Sequence, residues 1–116
     1  MTTTNPQDFI NQFGISKNPS KSIPYFLGLL KDSPDLYQFS PKEGWICKGN
    51  FDLSNLELVQ LPKIKEVGES FYCNNNSLQS LLGAPKEVGG NFGCLNNPFS
   101  TSPTKPRGVK GEFHTK

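Results

Sequence analysis

Three cysteines, one histidine and a scatter of acids are the residues of this 116-residue chain with chemistry of their own. Cys73 and Cys94 stand in matching local sequence, Phe-Tyr-Cys-Asn-Asn-Asn and Phe-Gly-Cys-Leu-Asn-Asn. If those segments are strands in adjacent layers, their backbones lie about 4.8 Å apart, which invites a disulfide or a metal. The preferred reading is plainer: small apolar thiols fill an interior column, as unpaired cysteine often does. Cys47 falls in a different column, and no C-x-x-C pair supplies the convergent ligands that zinc needs. No metal and no cofactor are expected.

His114 lies among the last residues. A general base must be held within hydrogen-bond reach of its substrate, and nothing around His114 provides that order. Asp52, Glu57, Glu66, Glu69 and Glu87 are scattered. Glu66 and Glu87 recur at one spacing beside Lys65 and Lys86, as solvated rungs at a turn would. Gly89-Gly90 and the Gly108 and Gly111 pair do not open a helix after a strand, as a phosphate loop must. No nucleophile, base and orienting group can be assembled, so no enzymatic activity is expected.

The elements that carry these residues are repeats. Lys-Glu-Val-Gly-Glu-Ser-Phe-Tyr-Cys-Asn-Asn-Asn at 65–76 returns as Lys-Glu-Val-Gly-Gly-Asn-Phe-Gly-Cys-Leu-Asn-Asn at 86–97. The same step taken again reaches Val109-Lys-Gly-Glu-Phe113, and one repeat back from Phe71 lies Phe51. Phe51, Phe71, Phe92 and Phe113 therefore form one column, and Cys47, Val67, Val88 and Val109 another. Alternate side chains of a strand share a face. Val67, Phe71 and Cys73 would thus point inward, with a kink at Gly68 or Glu69. Asn76 and Asn97 would satisfy loop backbone groups between coils. Pro62, Pro85 and Pro106 would fix the returning arc, where a missing N–H costs nothing.

Phe71-Tyr-Cys73-Asn-Asn-Asn76-Ser-Leu78, with Leu81 following, resembles the leucine-rich repeat core L-x-L-x-x-N-x-L. Phe92-Gly-Cys94-Leu-Asn-Asn97-Pro-Phe99 fits again. Phe51-Asp-Leu53-Ser-Asn-Leu56-Glu-Leu58 fits except that Leu56 replaces the asparagine. The V-G-G-x-F-x-C-x-x-N flavour, with a Gly83-Ala-Pro85 turn, is similar to cysteine-bearing repeats of bacteria and their phages. The resemblance covers roughly positions 45–113. It implies an α+β fold: a short leucine-rich-repeat-like solenoid with a small parallel sheet. About three coils are expected, each of roughly 20–21 residues.

Residues 1–44 lack the repeat and read as a helical N-terminal cap, leaving 45–116 as the solenoid with a basic C-terminal end. Asn5-Pro6-Gln-Asp8 is a good helix start, with Phe9, Ile10 and Phe13 on one face and Gly14 as the stop. A second helix is expected from about Pro24 to Lys31 and a third turn from Ser33-Pro34-Asp35, carrying Leu36 and Tyr37. Trp45 should wedge cap against solenoid. Each coil is stabilised only by its neighbours, so an array this short needs caps. At the far end only His114, Thr115 and Lys116 follow Phe113, so that edge is expected either to fray or to meet another chain.

Only 34% of the residues are hydrophobic, while 11 Gly and 10 Pro favour a fold of many turns. A net charge of +2 is too small to imply nucleic acid. Lys105, Arg107, Lys110 and Lys116 against Glu112 make a basic tail, but it lacks interleaved aromatics, so nucleic acid is a weak expectation. No apolar stretch approaches the roughly 20 residues of a membrane span, and no membrane partner is expected. Met1-Thr-Thr-Thr-Asn leads into no export signal, so a cytoplasmic chain with reduced thiols is expected. The Asn75-Asn76-Ser77 sequon is then a coincidence of the repeat.

The informative surface is the strand face opposite the Phe and Cys columns. Its outward positions are Asn50, Asp52 and Ser54, then Ser70, Tyr72 and Asn74, then Asn91, Gly93 and Leu95, then Glu112 and His114. Tyr72 and Leu95 are its apolar members, and such patches often mark contacts. The leading expectation is a non-enzymatic protein-binding module using Asp52, Tyr72, Asn74 and Leu95. The resemblance implies a more specific version, a phage-encoded inhibitor of a host or defence protein, acting in the host cytoplasm. The alternatives are a homodimer or larger self-assembly through the open sheet edge, and weak nucleic-acid binding through Lys105, Arg107 and Lys110.

Overall fold

The computed structural model describes residues 15–115. The helix expected on Asn5-Pro6-Gln-Asp8 lies outside the described residues. A short strand, β1 (Ile15–Ser16), leads into the single described helix, α1 (Pro19–Asp32). The helix opens earlier than the expected Pro24 because Pro19 sits in its first turn, where a missing N–H is no loss. It ends with the Ser33 N–H donating to the Leu29 carbonyl at 3.0 Å. Phe26 is its buried anchor, while Tyr25 and Leu27 remain exposed.

The N–H groups of Leu36 and Tyr37 both donate to the Ser33 carbonyl at 3.0 Å, so the expected third turn forms. Tyr37 then leaves it for a strand. β2 (Tyr37–Ser40) and β3 (Gly44–Cys47) make an antiparallel hairpin that pairs Tyr37 with Cys47 and Phe39 with Trp45. The segment read as a helical cap therefore holds one helix, the short strand β1 and the hairpin strand β2 among its described residues. Trp45 is fully buried, with ring centroids 5.4 Å from Phe26, 5.6 Å from Phe39 and 5.5 Å from Phe51. It joins helix, hairpin and first coil.

The rest of the chain winds about three times as a solenoid. Its strands are β4 (Phe51–Asp52), β5 (Leu58–Gln60), β6 (Ile64–Val67), β7 (Phe71–Tyr72), β8 (Glu87–Val88), β9 (Phe92–Gly93), β10 (Gly108–Val109) and β11 (Phe113–His114). One small parallel sheet was expected; two are present. In the first, β3, β6, β8 and β10 pair in parallel, with β2 along its edge. In the second, β4, β7, β9 and β11 pair in parallel and in register, Phe51 to Phe71 to Phe92 to Phe113. β5 pairs separately with β1, antiparallel.

The sequence kink at Gly68 is the corner between the two sheets. Glu69 would face inward if the strand ran straight through, yet it is exposed. The corner is tight because neighbouring coils touch backbone to backbone there. A Cβ on Gly68 would collide with the Lys48 carbonyl.

The core follows the columns. Cys47, Val67, Val88 and Val109 fill one wall, and Phe51, Phe71 and Phe92 are fully buried on the other. Phenylalanine centroids repeat at 6.0, 5.0 and 5.2 Å up to Phe113, the last two contacts edge-on. Burial of each ring is worth about 1.5–3 kcal/mol, and edge-on pairing adds about 0.5–1.5 kcal/mol per pair. Pro62 and Pro85 are buried in the returning arc, each just ahead of the next strand of the first sheet.

Candidate interaction surface

The outward face of the second sheet is built by side chains that stitch coil to coil. The Ser70 N–H donates to Asn50 Oδ1 at 2.9 Å, the Asn91 N–H to Ser70 Oγ at 3.0 Å, and the Glu112 N–H to Asn91 Oδ1 at 2.9 Å. A second row repeats the device: the Asn74 N–H donates to Ser54 Oγ at 3.0 Å and the Leu95 N–H to Asn74 Oδ1 at 2.7 Å. Most polar residues expected to face a partner therefore carry a structural duty. They hold the face rigid.

Between these rows runs Asp52, Tyr72, Gly93 and His114, aligned by register. Asp52 is exposed, and its Oδ1 accepts the Ser54 N–H at 3.0 Å. Tyr72 is half-buried because its ring leans over Gly93: a Cβ there would meet Tyr72 Cδ1 at 2.9 Å. Gly93 is buried beneath it, although its position faces outward. Leu95, also half-buried, lies in the adjoining row beside Asn74. The structure thus gathers Asp52, Tyr72, Asn74 and Leu95 on one face.

The basic tail belongs elsewhere. Arg107 and Lys110 flank β10 in the first sheet, and Lys105 is exposed in the arc before it. His114 is exposed, with Nε2 3.3 Å from Glu112 Oε1.

Inside the turns, two asparagines satisfy the backbone as their repeat position implied. Asn76 Oδ1 accepts the N–H groups of Leu56 and Leu58 at 3.1 and 3.0 Å, while its Nδ2 donates to the carbonyls of Leu53 and Cys73 at 2.9 and 3.1 Å. Asn97 repeats this one coil on, accepting from Leu78 and donating to Cys73 and Cys94. A further column escaped the sequence reading. Asn55, Asn75 and Asn96 adopt positive φ, 61°, 55° and 56°, the left-handed conformation that asparagine tolerates. Its signal was present as an asparagine returning once in every repeat.

The first edge of the second sheet is closed by two tyrosines. The Tyr37 hydroxyl donates to the Asn50 carbonyl at 3.0 Å, and the Tyr25 hydroxyl donates to the Asp52 carbonyl. In later coils the equivalent carbonyls of Ser70 and Tyr72 accept the N–H groups of Phe51 and Leu53. The two hydroxyls replace a missing coil. Burial, with the Asp52 carboxylate second, pushes the Tyr25 phenol up to about 12.

Cys47, Cys73 and Cys94 are unbridged and buried. Burial raises the Cys73 thiol well above its ordinary range and that of Cys94 to about 11. Among the described residues, no cluster of three or more His, Cys, Asp and Glu is placed to hold a metal. No described helix is long and apolar enough to cross a membrane. Comparison with known protein families, with curated proteins and with solved structures finds no match.

Sequence reading also missed an open groove of about 560 Å³ beside the first sheet, lined by Lys42, Glu43, Lys63, Ile64, Lys65, Gly83, Ala84 and Lys86. Its lysines come from three separate stretches of sequence, and only Lys65 and Lys86 share a repeat position.

Proposed function

We propose that the chain is a non-enzymatic protein-binding module that holds its partner on the outward face of the second sheet, around Tyr72 and Leu95. The observation that carries this reading is the Tyr72 ring resting over Gly93 on a face whose polar neighbours are fixed by coil-to-coil hydrogen bonds. A pre-organised aromatic anchor with a rigid surround loses little freedom on binding. The leucine-rich-repeat resemblance supports the same reading. An inhibitor made by a phage against a host or defence protein is its more specific form, and rests on that resemblance alone.

Partner recovery from native lysate by the wild type and by Tyr72→Ala/Leu95→Asp tests this. Loss of a partner from the doubly substituted chain, with its melting temperature unchanged, supports the face as the site. Identical recovery rules it out.

Self-assembly is a second reading, favoured by an asymmetry. The first edge of the second sheet is closed by Tyr25 and Tyr37, whereas β11 is the outermost strand at the other end among the described residues. Unpaired strand edges pair readily with another chain. Light scattering that shows a monomer at high micromolar concentration removes this reading.

A further inference from the structure

The groove beside the first sheet concentrates the charge of the molecule. Its four lysines and one glutamate carry a net +3, against +2 for the whole chain, so the charges outside it sum to −1. Register compounds this. Glu66 pairs with Glu87 and Glu87 with Gly108, so Lys65 on β6 and Lys86 and Arg107, which immediately precede β8 and β10, fall at one repeat position on neighbouring coils. Strand spacing places such neighbours about 4.8 Å apart, and like charges directly opposite one another destabilise a sheet.

Among the described residues this repulsion is relieved at one end only, where Glu43 Oε2 lies 2.9 Å from Lys65 Nζ. Lys63 Nζ donates to the Lys42 carbonyl at 2.7 Å, which positions its charge over the groove without neutralising it. Lys42 and Lys86 have no carboxylate within ion-pair distance among the described residues. Between the cations the floor is apolar and small, made by Ile64, Gly83 and Ala84.

We infer that this groove is a second binding site, for an extended acidic peptide segment of a protein partner. Charge complementarity selects an anion. The size of the groove and its spread over β6, the hairpin turn and the loop before β8 suit a chain rather than a single small ion. In an extended peptide, every second side chain shares a face at intervals of about 6.6 Å, so alternate acids could reach the lysines while small apolar residues meet the floor. Nucleic acid fits less well, because none of the described residues that line the groove carries an aromatic ring on which a base could stack. The site lies on a different sheet from Tyr72 and does not depend on that surface.

The test is fluorescence anisotropy on the full chain with a labelled polyglutamate decapeptide at about 50 mM salt, where screening is weak. Lys42→Glu/Lys86→Glu changes two exposed residues, and Lys21→Glu/Lys31→Glu on the exposed surface of α1 makes the same change in net charge outside the groove. The groove substitutions should weaken binding about tenfold or more and the helix substitutions about twofold or less. Tyr72→Ala should leave peptide binding unchanged. On titration, the amide resonances of Ile64, Gly83 and Ala84 should shift. No binding by the wild type overturns the inference, as do equal losses in the two charge-reversed chains or loss in Tyr72→Ala. An oligothymidylate of matching length that binds more tightly than the peptide and displaces it also overturns it, in favour of nucleic acid.

Discussion

Leu56 donates its backbone N–H to Asn76 Oδ1 at 3.1 Å, although Leu56 itself stands where Asn76 and Asn97 stand in the later coils. The first coil has no asparagine of its own at that point and is satisfied by the second. Asn76 therefore serves two coils, with its side chain buried.

Asn76→Ala strands the N–H groups of Leu56 and Leu58 and the carbonyl of Leu53 in the interior, while the Cys73 carbonyl keeps its bond from Asn97 Nδ2. At about 1–3 kcal/mol for each group left unpaired, and with partial relaxation, the expected loss is about 4 kcal/mol. That is a large share of a small domain's stability. Asn97→Ala should cost about half as much, since Asn97 is only partly buried. Urea unfolding at one pH measures both; a loss below about 1 kcal/mol for Asn76→Ala would show that the ladder is dispensable.

Tyr25 gives a pH signature. The folded chain keeps the phenolic proton to about 12, whereas the unfolded chain releases it near the ordinary value of 10.0. Above pH 10 the unfolded state loses a proton that the folded state retains, so stability falls as pH rises and levels off near 12. A difference of this size corresponds to about 2.7 kcal/mol. Tyr25 is 37% exposed, so solvent screening leaves about 1 kcal/mol. Tyr25→Phe should start less stable and lack this part of the alkaline loss. Parallel stability curves for the two chains between pH 9 and 12 would refute it.

Much of this architecture was legible because a solenoid writes its contacts into sequence spacing. Equivalent residues touch, so the Phe column, the Val column and the Asn76–Asn97 pair could be read from one recurring interval. The second sheet was hidden, because Val67 and Phe71 would share a face of one straight strand as well as facing inward across a corner. The hairpin was hidden too, although Tyr37, Phe39, Trp45 and Cys47 alternate as strand residues should; neighbouring helix signals overrode that pattern. The tyrosine caps and the lysine groove depend on tertiary approach between unrelated segments. No spacing rule announces such approaches.

Gly93 and Gly68 separate binding from folding. A Cβ on Gly93 meets the movable ring of Tyr72, whereas one on Gly68 meets the fixed Lys48 carbonyl. Gly93→Ala should cost about 1 kcal/mol or less while displacing Tyr72, and Gly68→Ala about 2 kcal/mol or more. If the second sheet holds the partner, Gly93→Ala should impair binding out of proportion to its effect on melting temperature. A chain with Gly93→Ala that binds normally with Tyr72 displaced would count against the face.

The thiols offer a direct check on the interior. Cys47, Cys73 and Cys94 are buried, and burial raises all three thiols above their ordinary range. The thiolate is the reacting species. Ellman's reagent at pH 8 should leave the native protein untouched and count three thiols after unfolding. Fast reaction of Cys73 or Cys94 in the native state would show that the coils open readily.

The bonds between coils all lie along the solenoid axis, a mechanical arrangement as well as a chemical one. Backbone bonds of both parallel sheets and the side-chain ladders tie each coil to the next, and each coil grips only its neighbours. Tension between the two ends would load those grips in series, like links in a chain, and the weakest would part first. Extension should therefore proceed in steps, each releasing one coil of about 20 residues, or about 70 Å of contour. The tyrosine-capped end, anchored through Trp45 to helix and hairpin, should be the last to yield.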